Sequence, residues 1–179
     1  TVLITIAGIL LSAYKQSDLS EDLVKREISG IARSLRQTYL ATEGNEKFVM
    51  KGDNLYKGNT MLSGNYKLVD QLKNEQEVEV SLFFGDVREV TTLKDESGKR
   101  EINTKMSSEV YDTLKKGEEY FATNVDVLGT DYYGYYVPLY QPGTKEFAGS
   151  VFCGRTQNQV TQSLRNTIIS MAVVMLVIF

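Results

Sequence analysis

The residues with the most chemistry to offer follow a Gly85-Asp86 pair in VEVSLFFGDVREVTTL, residues 78–93. Arg88, Thr91 and Thr92 come within five positions there. A guanidinium can hold a carboxylate through two parallel hydrogen bonds, and a neighbouring hydroxyl can orient it. Strict alternation along a strand sends Arg88 and Thr92 to one face. The plain alternative is a surface arginine paired with a nearby carboxylate. Arg100 and Lys105 bracket the next segment and are either charge at the mouth of a site or solvated. Tyrosine is dense further on: Tyr132, Tyr133, Tyr135, Tyr136 and Tyr140 lie in YYGYYVPLY, after Tyr120. Alternation separates Tyr132 and Tyr136 from Tyr133 and Tyr135. One pair should pack in a core or interface, leaving the other for a pocket that wants apolar area with a hydroxyl, unless both simply pack the sheet.

Other chemistry is excluded by what the chain lacks. It has 179 residues and no histidine. Ser-His-Asp and Cys-His catalysis in their usual forms are therefore absent, and so is the commonest metal ligand. No phosphate loop, nucleophile constellation or metal-ligand spacing is present, so neither enzyme activity nor a cofactor is expected. The net charge is −3 with no basic run, which argues against nucleic acid as a partner. The single cysteine, Cys153, sits in an apolar strand pattern and reads as a small core residue. Glu75, Glu77 and Glu79 read as solvated edge carboxylates.

The elements that must hold these residues follow from periodicity. Val78, Val80, Leu82 and Phe84 alternate as in a half-buried strand, and the Gly85-Asp86 turn makes 78–93 an antiparallel hairpin. Leu19, Leu23, Val24, Ile28, Ile31, Leu35 and Tyr39 form one face of a long helix over 17–41. FVMKGDNLYK gives two short strands, 65–74 a short helix, and Ser107 to Gly117 a capped one. Residues 118–128, 132–140 and 147–154 form an antiparallel meander, with a bulge or ladder end near Pro138. Thr156 and Gln159 have capping-box spacing for a last helix. The fold class is α+β, with one antiparallel sheet. Both ends, TVLITIAGILLSAY and IISMAVVMLVIF, are apolar but shorter than the roughly 20 residues of a membrane span. They are expected to be transmembrane helix fragments, 1–14 and 167–179, placing the 15–166 domain on one side of a membrane.

A set of fragments resembles the single Cache family, the PAS-like extracytoplasmic sensors of bacterial receptors. They are GDNLYKGN, LVDQLK, FFGDVREVTTL, SGKREINTK, EVYDTLKKGEEYF, DVLGTDYYGYYVPL and FAGSVFCG, in that order between residues 52 and 154. The resemblance implies a long first helix on a PAS-like sheet of five or six strands, with a ligand pocket between the sheet and its covering loops. It implies a host receptor, most often a chemotaxis transducer, otherwise a histidine kinase or cyclase. It also implies a small metabolite ligand, commonly an organic acid. The sequence departs from the family at Asn103, where glycine is usual before the threonine. The tryptophan-containing signature for amino acids in the double form is absent. The expected pocket is lined from Arg88, Thr92, Thr104, Lys105, Tyr120, Tyr133 and Tyr135. A homodimer through the first helix is the expected assembly. A sealed sheet face would favour an interaction domain without a ligand instead.

Overall fold

The computed structural model describes residues 2–162, 165–166 and 169–170. Helix α1, Val2–Ala41, runs unbroken through Gly30. Its 40 residues extend about 60 Å at 1.5 Å per residue. Strands β1 (Phe48–Lys51), β2 (Asn54–Lys57) and β3 (Thr60–Met61) form a small antiparallel sheet. Helix α2 (Lys67–Gln76) leads to β4 (Glu79–Phe84) and β5 (Val87–Thr91). Helix α3 (Ser108–Lys115) precedes β6 (Tyr120–Val127), β7 (Thr130–Tyr140) and β8 (Phe147–Thr156). The main sheet has five strands in the order β5-β4-β8-β7-β6, all antiparallel. The last strand in sequence is therefore the central one, and the 78–93 hairpin lies at one edge.

Helix α1 packs on β7 and β8. Val24, Ile28, Ala32, Leu35 and Tyr39 recur at three and four residues and are buried against Val80, Leu82, Val90, Val137, Val151 and Cys153. Burying each large aliphatic side chain of this stripe contributes about 1.5–3 kcal/mol. Leu19 and Leu23 belong to the same periodic pattern but are 59% and 56% exposed. The helix carries no basic residue in its last turn. Lys57 of β2 supplies the missing charge: its buried ammonium donates to the carbonyls of Leu40 (3.0 Å), Gly44 (2.5 Å) and Thr42. A cation there satisfies orphan carbonyls and opposes the negative end of the helix dipole.

The other face of the sheet has its own apolar cluster. Phe83, Tyr136 and Phe152 pack with Met106, and with Val110 and Leu114 of α3. Strand β4 is thus buried on both faces, not one, because α3 and the segment before it cover the side that alternation alone leaves to water. Ser107 caps α3 by accepting from the Val110 amide at 3.3 Å. Thr156 and Gln159 form a reciprocal capping box (3.2 Å in each direction), and residues 157–162 are helical. The register shift beside Pro138 falls between Leu139 and Tyr140. No helix among the described residues is long and apolar enough to cross a membrane. Residues 2–14 open α1, whereas 167–168 and 171–179 of the expected second membrane segment lie outside the described residues.

Candidate ligand-binding site

Strand register decides which side chains share the α3 face. Opposite β4, Thr91 faces Ser81 and Val90 faces Leu82, but Phe83 faces Arg88. Glu89 is the extra residue of a bulge. The bulge flips parity, so Arg88 and Thr91 share the Phe83 face and Thr92 does not follow Arg88. Across the sheet, Phe83 faces Ser150, and Phe152 and Tyr136 face each other. Arg88, Phe83 and Ser150 therefore form one cross-strand row, and Thr91, Ser81, Phe152, Tyr136 and Tyr120 the next.

Arg88 is 8% exposed. Its guanidinium lies over the Phe83 ring, 5.0 Å from the centroid. Nη1 donates to Thr104 Oγ1 at 2.6 Å and reaches the Glu101 carbonyl at 3.5 Å. Nε is buried and has no partner, and Arg88 forms no ion pair among the described residues. The plain alternative, a surface arginine beside a carboxylate, does not hold. Burial pushes the Arg88 pKa down, while Tyr136 and Glu101 push it back up. Arginine nevertheless stays charged, so this is a buried cation without a counter-ion. Ser150, fully buried in the same row, also has an Oγ with no partner.

An aromatic wall adjoins these groups. The Tyr136 and Phe152 centroids are 4.8 Å apart, and Phe83 and Tyr120 each lie 6.3 Å from Tyr136. Burial pushes the Tyr136 hydroxyl up to about 12. The Phe152 ring lies over two glycines on neighbouring strands. A Cβ on Gly134 would stand 2.9 Å from the ring and one on Gly154 2.5 Å from it. Either side chain would force the ring to move.

The other expected site residues divide. Thr104 is held beside Arg88 by the edge pairing of its segment: the Arg88 amide donates to the Thr104 carbonyl and the Asn103 amide to the Arg88 carbonyl, both at 2.8 Å. Tyr120 is at the rim, its hydroxyl donating to Glu109 at 2.9 Å, a bond that raises its pKa. Lys105 points out to Asp86 at 2.8 Å and is mostly exposed. Thr92 follows directly after β5, donating to Glu79 and accepting from the Val80 amide at 2.9 Å. Glu79 is accordingly half-buried and engaged with Lys73 as well, not a free edge carboxylate. Tyr133 and Tyr135 are on the opposite face against α1. Tyr133 stacks on Phe121, and Tyr135 donates to Glu119 at 2.6 Å, which also pairs with Arg33. Their expected place beside Arg88 is corrected: the other parity pair, Tyr132 and Tyr136, faces that side. Arg100 is neither solvated nor in the site; it lies 3.9 Å over Tyr66, grips Asp70 with two bonds and donates to the Thr91 carbonyl. Cys153 is a buried core residue, its thiol pKa pushed up by burial.

The sequence matches the family described as single Cache domain 3 over residues 59–167, more than half of the chain. The chain belongs to this single Cache family. Its members are extracytoplasmic ligand-sensing domains of membrane proteins. The Cache domain is also similar in structure to the sensor domain of E. coli DcuS, with a TM-score of 0.55 at 15% identity. That alignment covers 82% of this chain and 98% of the other. No curated protein sequence matches significantly. The departure at Asn103 has a backbone explanation. Its φ is 62°, a left-handed conformation that asparagine tolerates best after glycine, and its side chain is exposed. It therefore preserves the turn that presents Thr104 to Arg88.

Proposed function

We propose that this Cache domain senses a small carboxylate-bearing metabolite through Arg88, as the extracytoplasmic part of a bacterial transmembrane chemoreceptor. The observation that carries the reading is the Arg88 guanidinium, buried beside an aromatic wall with one strong hydrogen bond and no anion. A carboxylate accepting from Nε and the free edge of the guanidinium would supply the missing counter-charge. Thr104 would fix the guanidinium plane, Ser150 would offer a further hydroxyl, and Phe83, Tyr136 and Phe152 would enclose the apolar body. Entry requires the segment from Glu101 to Met106 to lift, since it covers Arg88. Thermal-shift screening of organic acids followed by calorimetry tests this. Arg88→Ala should weaken the carboxylate found by about 2–5 kcal/mol, as for truncating one side of a buried charge pair. Unchanged affinity would remove Arg88 from the site.

Transmission would run through β8. This strand touches both β4 and β7, and beyond it the chain enters the capped helix at residue 157. Arg155, near the end of β8, bonds Glu27 of α1 at 2.8 Å and the Gln76 carbonyl of α2 at 2.6 Å. A continuous helix conveys a displacement that a flexible linker absorbs, and a bias of about 1–3 kcal/mol between two packings suffices. The exposed Leu19 and Leu23 offer α1 a homodimer seam. Four glycines inserted between Gln162 and Ser163 should leave affinity intact and abolish cytoplasmic output; normal output would rule out helix transmission. A histidine kinase output in place of a chemotaxis transducer is distinguished by the sequence following the membrane segment. A second reading, an interaction domain without a ligand, is favoured by the near-complete burial of Phe83, Tyr136 and Phe152. Failure of every acid to bind while the domain dimerises would select it.

A further inference from the structure

A groove lies on the α1 side of the molecule, away from the Arg88 face. Its volume is about 390 Å³, and its lining includes Arg36, Leu40, Gly44, Asn45, Pro138 and Pro142. It is formed where the last turns of α1 approach the end of β7 and the turn into β8. Arg36 is poorly served there. Its Nη1 reaches the Pro138 carbonyl only at 3.4 Å, and its Nε is buried without a partner. Among the described residues it forms no ion pair. Its neighbour Arg33 grips Glu119, and Arg26, Arg100 and Arg155 have Asp22, Asp70 and Glu27. Glu119, whose pKa Arg36 helps to lower, is committed to Arg33 and Tyr135.

The end of α1 would ordinarily repel an anion, because its terminal carbonyls carry partial negative charge. Lys57 removes that objection by occupying the carbonyls of Leu40, Thr42 and Gly44. The groove therefore combines a guanidinium without an ion pair, a neutralised helix end and a mixed lining, in which Leu40, Pro138, Pro142 and the Tyr140 ring stand beside the amides of Gln37, Asn45 and Gln141. Such a combination suits a ligand with one carboxylate and a compact apolar body. Its volume is at the small end of ligand pockets, fitting a single ring rather than a peptide.

We propose that this groove is a second small-molecule site, selective for a monocarboxylate with an apolar ring, independent of the Arg88 site. The test is a ¹⁵N–¹H titration of the chain with sodium benzoate, using benzamide and inorganic phosphate as controls. Benzoate should shift the amides of Gly44, Asn45 and Gly143 saturably, with a dissociation constant of about 1–5 mM or tighter. Arg36→Gln should weaken this by about tenfold or more, through loss of the charged partner. Arg88→Ala should leave it unchanged, which keeps failure at either site separate from failure at the other. Arg36→Gln is expected to fold, because Arg36 makes only one long hydrogen bond, and an unchanged spectrum away from the groove would verify it. Equal shifts with benzamide, phosphate binding in place of benzoate, retained binding in Arg36→Gln, or no saturable shift would each overturn the proposal.

Discussion

Replacing Arg88 by methionine should not cost the unliganded domain stability, and this separates a ligand-binding arginine from a structural one. The losses can be worked from the geometry. One charge-assisted bond, to Thr104 at 2.6 Å, goes, at about 1.5–3 kcal/mol. The contact with the Phe83 ring at 5.0 Å contributes about 1–2 kcal/mol more. Thr104 is not orphaned, since its hydroxyl also donates to the Glu101 carbonyl at 3.2 Å. Against this stands a desolvation penalty of several kcal/mol for a buried ion without a counter-charge. A buried methionine side chain adds about 1.5–3 kcal/mol of apolar transfer. The gains match or exceed the losses, so the expected outcome lies between no change and a net stabilisation. Urea unfolding read as a shift of midpoint at constant slope measures it. Ile28→Ala, on the face of α1 buried against the sheet, is the control and should lose about 2–5 kcal/mol. A loss beyond about 2 kcal/mol in Arg88→Met would make the arginine a structural strut on the scale of ordinary destabilising substitutions and refute the reasoning. Ligand at a hundred times the wild-type dissociation constant should add about 2.7 kcal/mol to the wild type and less than about 1 kcal/mol to the variant.

Two further outcomes test the frame around the site. Lys57→Met should destabilise the domain by about 2–4 kcal/mol, because carbonyls at the end of α1 lose a charged donor, and hydrogen exchange should rise first at residues 38–44. The Glu119 pKa is held down by its bond to Arg33, and also by Tyr135, so the carboxylate contributes stability that is present above its unfolded value and lost as pH falls through the folded one. Glu119→Gln should therefore be less stable than wild type at pH 7, the gap closing as pH falls below about 4.3 and through the depressed folded pKa. A gap that persists at low pH would assign the effect to packing.

Much of this architecture was legible because local signals agreed with one another. The α1 face, the Gly85-Asp86 hairpin, the Ser107 cap, the β6-β7-β8 meander and the Thr156–Gln159 box all rest on spacing within one element. The site was less legible because it depends on relations between elements. Alternation groups Tyr132 with Tyr136 and Tyr133 with Tyr135, but only the docking of α1 decides which pair meets Arg88. A one-residue bulge at Glu89 leaves no mark in the sequence, yet it puts Thr91 in place of Thr92 beside Arg88. Ser150 and Phe152 share a parity in FAGSVFCG and could have been proposed as a face. Nothing local says that two glycines on adjacent strands open room for the Phe152 ring. Arg100 illustrates the same limit, since its partners Tyr66 and Asp70 are remote in sequence.

The most direct test of the central claim is a crystal structure of the chain with the organic acid that gives the largest thermal shift. The account predicts a carboxylate oxygen about 2.7–2.9 Å from Arg88 Nε or Nη2, in the range of charge-assisted bonds, with the ligand body against Phe83, Tyr136 and Phe152 and the Glu101–Met106 segment displaced. A ligand seated on the α1 face against Tyr133 and Tyr135, with Arg88 unchanged, would contradict it.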